Sequence, residues 1–236
     1  MNRYINAIRS LDFDSLKDLL AKKPGWIQWQ EEDGKNGLHF LCGVPVTDNL
    51  KNQKLSLEML KFLLKKGMNM NSIHKIAGPD CIFPATPLWY AYAKGRNEKI
   101  YSFLLAQDAD PENCMFAIAW NDDIKAAALF KKYSAKIEKG DGKDTPFPAA
   151  FMWKRFKVAE WFLRNGANPN ARDHKGNAAL FYAVKRKYDL EKIELLLKNR
   201  ADMHLKNVEG ISPGAIAESN RQKNILKVFA KYDQST

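Results

Sequence analysis

The stretch Asn165-Gly166-Ala167-Asn168-Pro169-Asn170 returns 34 residues later, from position 165 to position 199, as Asn199-Arg200-Ala201-Asp202-Met203-His204. Each copy follows an apolar run typical of a helix, at residues 158–163 and 193–197. A fixed period in this range is typical of stacked-repeat proteins, in which each unit packs only on its neighbours. The sequence therefore predicts a repeat fold, and its function should depend on the surface that the repeats present.

The clearest unit runs from Asp173 to His204 and predicts a turn followed by two helices. Residues 173–177 suit a tight turn, because Gly176 accepts positive φ and Asp173 can bond nearby backbone groups. A first helix is predicted over residues 178–184. A second is predicted over residues 190–198, where apolar side chains three and four positions apart form one stripe.

This unit resembles the ankyrin repeat, which opens with Asp-x-x-Gly and Thr-Pro-Leu-His and closes its second helix with Gly-Ala-x-x-Asn. A Thr or Ser before Pro is expected to cap the first helix, whose first turn tolerates the Pro. The longer matches are Asp33-Gly34-Lys35-Asn36-Gly37-Leu38-His39, Thr86-Pro87-Leu88-Trp89-Tyr90-Ala91, Leu63-Leu64-Lys65-Lys66-Gly67-Met68-Asn69-Met70-Asn71 and Phe162-Leu163-Arg164-Asn165-Gly166-Ala167-Asn168-Pro169-Asn170. Two shorter Thr/Ser-Pro starts are Thr145-Pro146 and Ser212-Pro213.

The resemblance implies an all-α ankyrin-repeat solenoid of stacked helix-turn-helix units with hairpin-like loops. It covers nearly the whole chain as a single domain: an N-terminal helical cap at residues 1–30, and six repeats near residues 31–71, 78–111, 112–138, 139–172, 173–206 and 207–236. The first repeat is stretched between its helices by residues 43–49, and the second has a long approach over residues 72–85. The third is truncated before a helix at residues 114–120, so we expect a gap in the row of hairpins there.

The composition leaves the binding of acidic partners open. The 236 residues carry a net charge of +11, which could attract nucleic acid or another polyanion. The basic residues are scattered in short groups, however, and this pattern predicts solvated helix faces. No apolar run approaches the ~20 residues of a membrane-spanning helix. The three Cys residues are odd in number and far apart, which argues against disulfides and for a reducing compartment.

The sequence offers little support for catalysis, a cofactor or a metal. No Cys-x-x-Cys or His-x-x-x-His spacing is present, and neither a phosphate-binding loop nor a nucleophile elbow can be found. His39 and Cys42 could form a nucleophile pair, but nothing supplies oxyanion donors or a third orienting group. The resemblance implies instead that His39 bonds neighbouring backbone. An enzyme hidden in the irregular centre, residues 72–145, is the remaining catalytic alternative.

The resemblance implies a non-enzymatic scaffold that binds a protein partner through its concave face and loop tips. Trp, Met and Arg in a groove are typical of protein-binding hot spots. The alternative for Trp120 and Trp153 is burial in the space left by the short third repeat. Alignment to the family pattern places hairpin tips at Lys35, Asp144, His174, Lys175, Asn177 and Glu209. It places groove positions at Trp120, Met152, Trp153, Lys185 and Arg186.

Two other functions remain open at this point: a basic module for nucleic acid or another polyanion, and a bacterial effector delivered to a host cell. The second is suggested by the abundance of Lys, Asn and Ile and by the short, degenerate array. We expect a monomer with a protein partner and no membrane span. It would reside in the cytoplasm, or in the host cytoplasm if it is an effector.

Overall fold

The computed structural model describes residues 3–47, 49–78, 82–138 and 144–233. These ranges contain fourteen α-helices and one two-stranded antiparallel sheet, so the fold is all-α apart from a single small hairpin. Close contacts divide the chain into two units, residues 1–117 with 132–135 and residues 118–131 with 136–236. The predicted start of the fourth repeat at Lys139, the tail after Asp233 and the thiol of Cys81 lie outside the described residues.

In the first unit, helices pack as successive pairs. Helix α1 packs on α2 and α3, α3 on α4 and α5, and α4 on α6. First helices therefore contact first helices and second helices contact second helices, as a stack of repeats requires. The helices are α1 (Arg3–Arg9), α2 (Phe13–Lys22), α3 (Gly37–Cys42), α4 (Leu50–Lys65), α5 (Pro87–Ala93) and α6 (Glu98–Ala106), with a 3₁₀ turn at Pro24–Gln28.

The second unit repeats this arrangement. Helix α11 packs on α9 and α13, α12 packs on α14, and each first helix packs on the second helix of its own repeat. The inner positions of α9 and α11 carry Ala150 and Ala183, both fully buried, and such small side chains let neighbouring helices approach closely. The helices are α9 (Pro146–Met152), α10 (Phe156–Arg164), α11 (Ala179–Lys185), α12 (Leu190–Lys198), α13 (Pro213–Ser219) and α14 (Lys223–Asp233).

Two short helices fall within the residues predicted as the third repeat. They are α7 (Cys114–Trp120) and α8 (Ile124–Lys132), and the division between the two units passes through both helices. Asn113, directly before α7, has a φ of 68°. Residues 109–113 form no strand, so a tight turn takes the place of a hairpin. The expected gap in the row of hairpins stays a prediction.

The long approach to the second repeat contains the hairpin, which the sequence did not predict. Strand β1 (His74–Ala77) pairs antiparallel with β2 (Ile82–Ala85), placing His74 opposite Ala85. Pro84 lies in β2, where it is compatible with a strand at the edge of a sheet. The Lys75 N–H donates to the Asp33 carbonyl at 2.8 Å, which ties the hairpin to the turn of the first repeat.

Candidate partner-binding surface

The hairpin tips are shaped by one Asp or Asn side chain each, as at Asp173. Asp173 Oδ1 accepts the backbone N–H groups of Lys175 at 2.9 Å and Asn177 at 2.8 Å, and Gly176 adopts a φ of 74°. His174 at the same tip is exposed. Asp144 accepts both its backbone N–H at 2.8 Å and a bond from its Nδ1 at 2.9 Å. The structure therefore joins two of the predicted tip residues to each other.

Asn177 is not on the accessible surface, and its placement at a contact position was wrong. Its side chain is only 5 % exposed. Its Oδ1 accepts a hydrogen bond from Asn207 Nδ2 at 3.0 Å, and its Nδ2 lies 3.4 Å from the Tyr182 hydroxyl. The amide is buried because it links the turns of two adjacent repeats. It supports the tips without being available to a partner.

The remaining tip residues differ in how far they project. Lys175 and Glu209 are exposed, and their backbone N–H groups are bonded to the side chains that open their turns. Lys35, in the first unit, is half-buried. Its Nζ lies 4.6 Å from the Phe40 ring centroid and 5.7 Å from that of Tyr90, distances that suit cation–π contacts. The Lys35 side chain thus covers aromatic rings of its own unit.

In the second unit, the two groove tryptophans pack against each other. Their ring centroids lie 4.7 Å apart at an interplanar angle of 76°, an edge-to-face arrangement. Trp153 is half-buried, whereas Trp120 remains 52 % exposed. Trp120 therefore presents more aromatic surface to solvent than Trp153 does, and the role of both rings in partner binding stays a prediction.

Arg155, which is not among the site residues predicted from the sequence, lies against this pair of rings. The guanidinium carbon of Arg155 lies 5.8 Å from the Trp120 ring centroid. Its Nε is buried and finds no hydrogen-bond partner among the described residues. The signal was present in the sequence, since Arg155 directly follows Lys154 after Trp153, but only the packing brings it to Trp120.

Arg186 is held in place from two sides. It donates a hydrogen bond to the carbonyl of Met152, the last residue of α9, and such terminal carbonyls have no partner within their own helix. Its guanidinium carbon also lies 5.5 Å from the Tyr182 ring centroid. The Tyr182 hydroxyl donates to Asp173, and burial together with that bond raises the pKa of Tyr182 to about 12. The exposed Lys185 extends beside this cluster, with its Nζ 5.4 Å from the Phe181 ring centroid.

The five groove positions predicted from the sequence all lie at the C-terminal ends of first helices. Trp120 ends α7, Met152 and Trp153 end α9, and Lys185 and Arg186 end α11. Cations near helix C-termini are favoured by the helix dipole, so this placement costs little. We call the set the groove face: Trp120, Met152, Trp153, Lys185 and Arg186.

His39 has the structural role that the resemblance implied. The fully buried ring contacts the carbonyl oxygens of Ser72 and Ala85 through Nε2, both at 3.2 Å, and accepts the Asn36 N–H at Nδ1 at 3.1 Å. Burial lowers its pKa to about 4, so the ring is neutral near pH 7. Burial also raises the pKa of the Cys42 thiol, which makes that thiol a poor nucleophile.

Neither a metal site nor a membrane-spanning helix is found among the residues that the structure describes. Within them, no cluster of three or more His, Cys, Asp or Glu side chains has the arrangement of a metal site. Every helix in the described ranges is too short or too polar to cross a membrane.

Comparisons with known proteins agree with this architecture. A family model of ankyrin repeats in many copies matches residues 147–197. An ankyrin repeat protein of Acanthamoeba polyphaga mimivirus is 45 % identical over 51 residues, 22 % of this chain and 12 % of the viral protein. Rabankyrin-5 of Mus musculus is 29 % identical over 126 residues, 52 % of this chain and 10 % of that protein. The chain thus spans only about a tenth of the length of either relative.

Among solved structures, the ankyrin repeat domain of human ASB11 superposes with a TM-score of 0.67 at 18 % identity. The alignment covers 92 % of this chain and 91 % of that one, and at this identity the likeness concerns the fold. The recurring turns, the stacked helix pairs and the family match over residues 147–197 together identify the chain as an ankyrin-repeat protein.

Proposed function

We propose that this protein is a non-enzymatic scaffold that binds a protein partner through the groove face and the neighbouring hairpin tips of its second unit. Ankyrin repeats generally mediate protein–protein interaction, and the fold is typically an interaction module. The observation that carries the proposal is the Trp120–Trp153 pair, in which one large aromatic ring remains 52 % exposed beside Arg155. Aromatic and Arg side chains dominate the binding energy of protein interfaces.

The groove face also meets the requirement of preorganisation. Arg186 is fixed by the Met152 carbonyl and the Tyr182 ring, and Trp120 is braced by Trp153. Side chains that are already held in one position lose little conformational entropy when a partner binds. A partner could therefore gain most of the contact energy that these residues offer.

Site-directed photo-crosslinking can test the proposal while the partner is still unidentified. Benzoylphenylalanine would replace Trp120 in one variant and Leu190 in a second, because both residues are exposed, at 52 % and 38 %, but Leu190 begins α12 and lies outside the groove face. Irradiation in cell lysate should give a covalent adduct at position 120 and none at position 190. Adducts of equal yield at both positions, or at neither, would contradict the proposal.

Once a partner is captured, alanine substitution should separate binding from stability. Trp120→Ala should weaken partner affinity by at least about tenfold, the range expected for a hot-spot residue. Its melting temperature should fall only slightly, because the ring is half exposed and loses one edge-to-face contact worth roughly 1 kcal/mol. Leu190→Ala is the matched control, with affinity unchanged. Loss of folding in Trp120→Ala would instead place the ring in the core.

A further inference from the structure

An apolar cavity in the second unit lies beside the groove face and was not anticipated from the sequence. It has a volume of about 400 Å³ and opens between α11 and α13. Phe181 forms one wall, Ile216 and the exposed Ala215 form the other, and the exposed Ile211 stands at the edge. Lys185 of the groove face lines the same cavity, so the two features are continuous.

Two apolar residues that line this cavity, Phe181 and Ile216, are buried, whereas apolar residues at its edge are exposed. Ile211 is 38 % exposed, and Val208 in the same hairpin is 74 % exposed. Concave apolar surfaces of this size, with a few polar groups at the edge, are typical of binding sites. A large apolar side chain inserted from outside would cover the exposed Ile211 and Ala215.

The charge around the cavity indicates which residues should flank that apolar side chain in a partner. Residues 145–190 contain nine Lys and Arg residues and three Asp and Glu residues, whereas residues 205–222, which include the other wall, carry two of each sign. Lys185 lies at the cavity, Arg186 follows it, and Arg155 lies against Trp120, where its buried Nε makes no hydrogen bond to any residue that the structure describes. A basic partner would be repelled here, whereas carboxylates would be attracted and steered to the surface.

We propose that the second unit binds an extended acidic segment of a partner protein, with one large apolar side chain seated in the Phe181–Ile211–Ile216 cavity and carboxylates reaching Lys185, Arg186 and Arg155. This inference rests on the proposed function, because it names the chemistry of the partner at the same surface. Packed helices lie roughly 8–10 Å apart, and an extended chain advances about 3.3 Å per residue. The acidic residues should therefore fall within about four positions of the apolar anchor.

The test begins with selection of short linear peptides from a random display library on the intact protein. Selected peptides should share a large apolar residue with Asp or Glu within four positions of it. A synthetic copy of the strongest sequence is then titrated by fluorescence anisotropy. Recovery of basic peptides, of apolar peptides without acids, or of no peptide at all would overturn the proposal.

Variants of the protein assign the peptide to the cavity. Ala215→Phe fills the cavity from an exposed helix position and should weaken peptide binding by about tenfold or more. Ala230→Phe, at an exposed position of α14 away from the cavity, is the matched control and should bind within about twofold of the unsubstituted protein. Lys185→Glu should also weaken the acidic peptide, which keeps the test decisive if Ala215→Phe lowers stability.

The outcomes also separate this inference from the proposed function. Peptides that are weakened by Trp120→Ala but not by Ala215→Phe or Lys185→Glu would overturn the cavity assignment and leave the scaffold function intact. Peptides indifferent to all three substitutions would overturn both. If the unsubstituted protein forms a dimer in solution that Ala215→Phe disperses, the cavity is occupied by a second copy and the acidic segment is the wrong occupant.

Discussion

Single polar side chains set the geometry of the hairpin tips. Asp33, Asp173 and Asn207 each accept, through Oδ1, the backbone N–H two residues further on, at 3.0, 2.9 and 3.0 Å. Local bonds of this kind stabilise turns because the side chain replaces a backbone acceptor. The residues that donate these N–H groups, Lys175 among them, are thereby held at fixed positions on each tip. On the second unit, a partner would meet Lys175 and Glu209 at tips whose backbone is fixed in this way.

Gly37 shows why some positions cannot be understood from the local sequence. It stands where the family pattern has Pro, and a Cβ at this position would lie 2.3 Å from the Tyr4 hydroxyl oxygen. The side chain is therefore excluded by a residue of α1, far away in the chain. The turn role of Asp173 was predictable, because its partners are adjacent in sequence, whereas the need for Gly37 depends on packing between helices.

The buried His39 should make stability depend on pH. Its folded-state pKa of about 4 lies below the usual value of 6.5, because burial opposes protonation and the nearby His74 and Lys35 add to this effect. Between these values the unfolded chain binds the extra proton, so the stabilisation is complete above pH 6.5 and is lost as the pH falls toward 4. We expect unfolding free energy to fall by about 2 kcal/mol from pH 7 to pH 5, measured by urea denaturation.

A histidine variant provides the control for that measurement. His39→Gln removes the titrating group and should reduce the loss between pH 7 and pH 5 by most of that amount, although the variant starts from lower stability. Identical pH profiles for the unsubstituted protein and His39→Gln would refute the assignment.

At the scale of the element, helix starts that look alike in sequence differ in their caps. Thr86 Oγ1 accepts the Trp89 N–H at 3.3 Å, and Ser212 Oγ accepts the Ala215 N–H at 3.2 Å. Thr145 occupies the same position before α9, yet its Oγ1 is buried and makes no hydrogen bond to the described residues. The expected cap at Thr145 was therefore wrong, although the Pro after it does occupy the first turn of the helix.

This difference predicts opposite responses to one substitution. Thr86→Val removes a cap and should lower the unfolding free energy by about 1 kcal/mol. Thr145→Val replaces a buried hydroxyl that has no hydrogen-bond partner within the described part of the chain, so it should leave stability unchanged or raise it. Thermal unfolding of the two variants beside the unsubstituted protein checks both outcomes. An equal loss in both variants would mean that the Thr145 hydroxyl is satisfied in solution.

The helices were more predictable than the loops between them. The structure places α7 at Cys114–Trp120 and α12 at Leu190–Lys198, the ranges that apolar periodicity had indicated. The β1–β2 hairpin was missed because its two strands have four residues each, and Pro84 within the second weakens the strand pattern. Short strands are specified by their pairing and by contacts such as that of Lys75 with Asp33, which no local pattern contains.

At the scale of the whole molecule, only some of the contact positions predicted from the sequence are exposed to solvent. The exposure of Trp120, Lys175 and Glu209 fits the family pattern, but Lys35 lies on rings of its own unit and Asn177 is buried. Packing on the adjacent repeat decides which of these side chains are buried and which remain exposed. The partner, the cytoplasmic location, delivery to a host cell and the monomeric state stay predictions.

The charge of +11 permits a last test of the alternative polyanion function. Many cations lie on rings of their own unit, as Lys61 does at 5.1 Å from the Phe103 centroid and Lys94 at 5.7 Å from that of Trp89. Because many of these cations contact rings of their own unit, we expect weak nucleic-acid binding that engages few phosphates at once. A plot of log affinity for duplex DNA against log salt concentration, measured by anisotropy, should then have a slope shallower than about −3, since each neutralised phosphate contributes roughly −0.9.

Arg155→Glu with Arg186→Glu should abolish capture of the protein partner but change this DNA binding less than about threefold. A steep salt dependence that the double variant removes would make the groove face a nucleic-acid site and overturn the scaffold proposal.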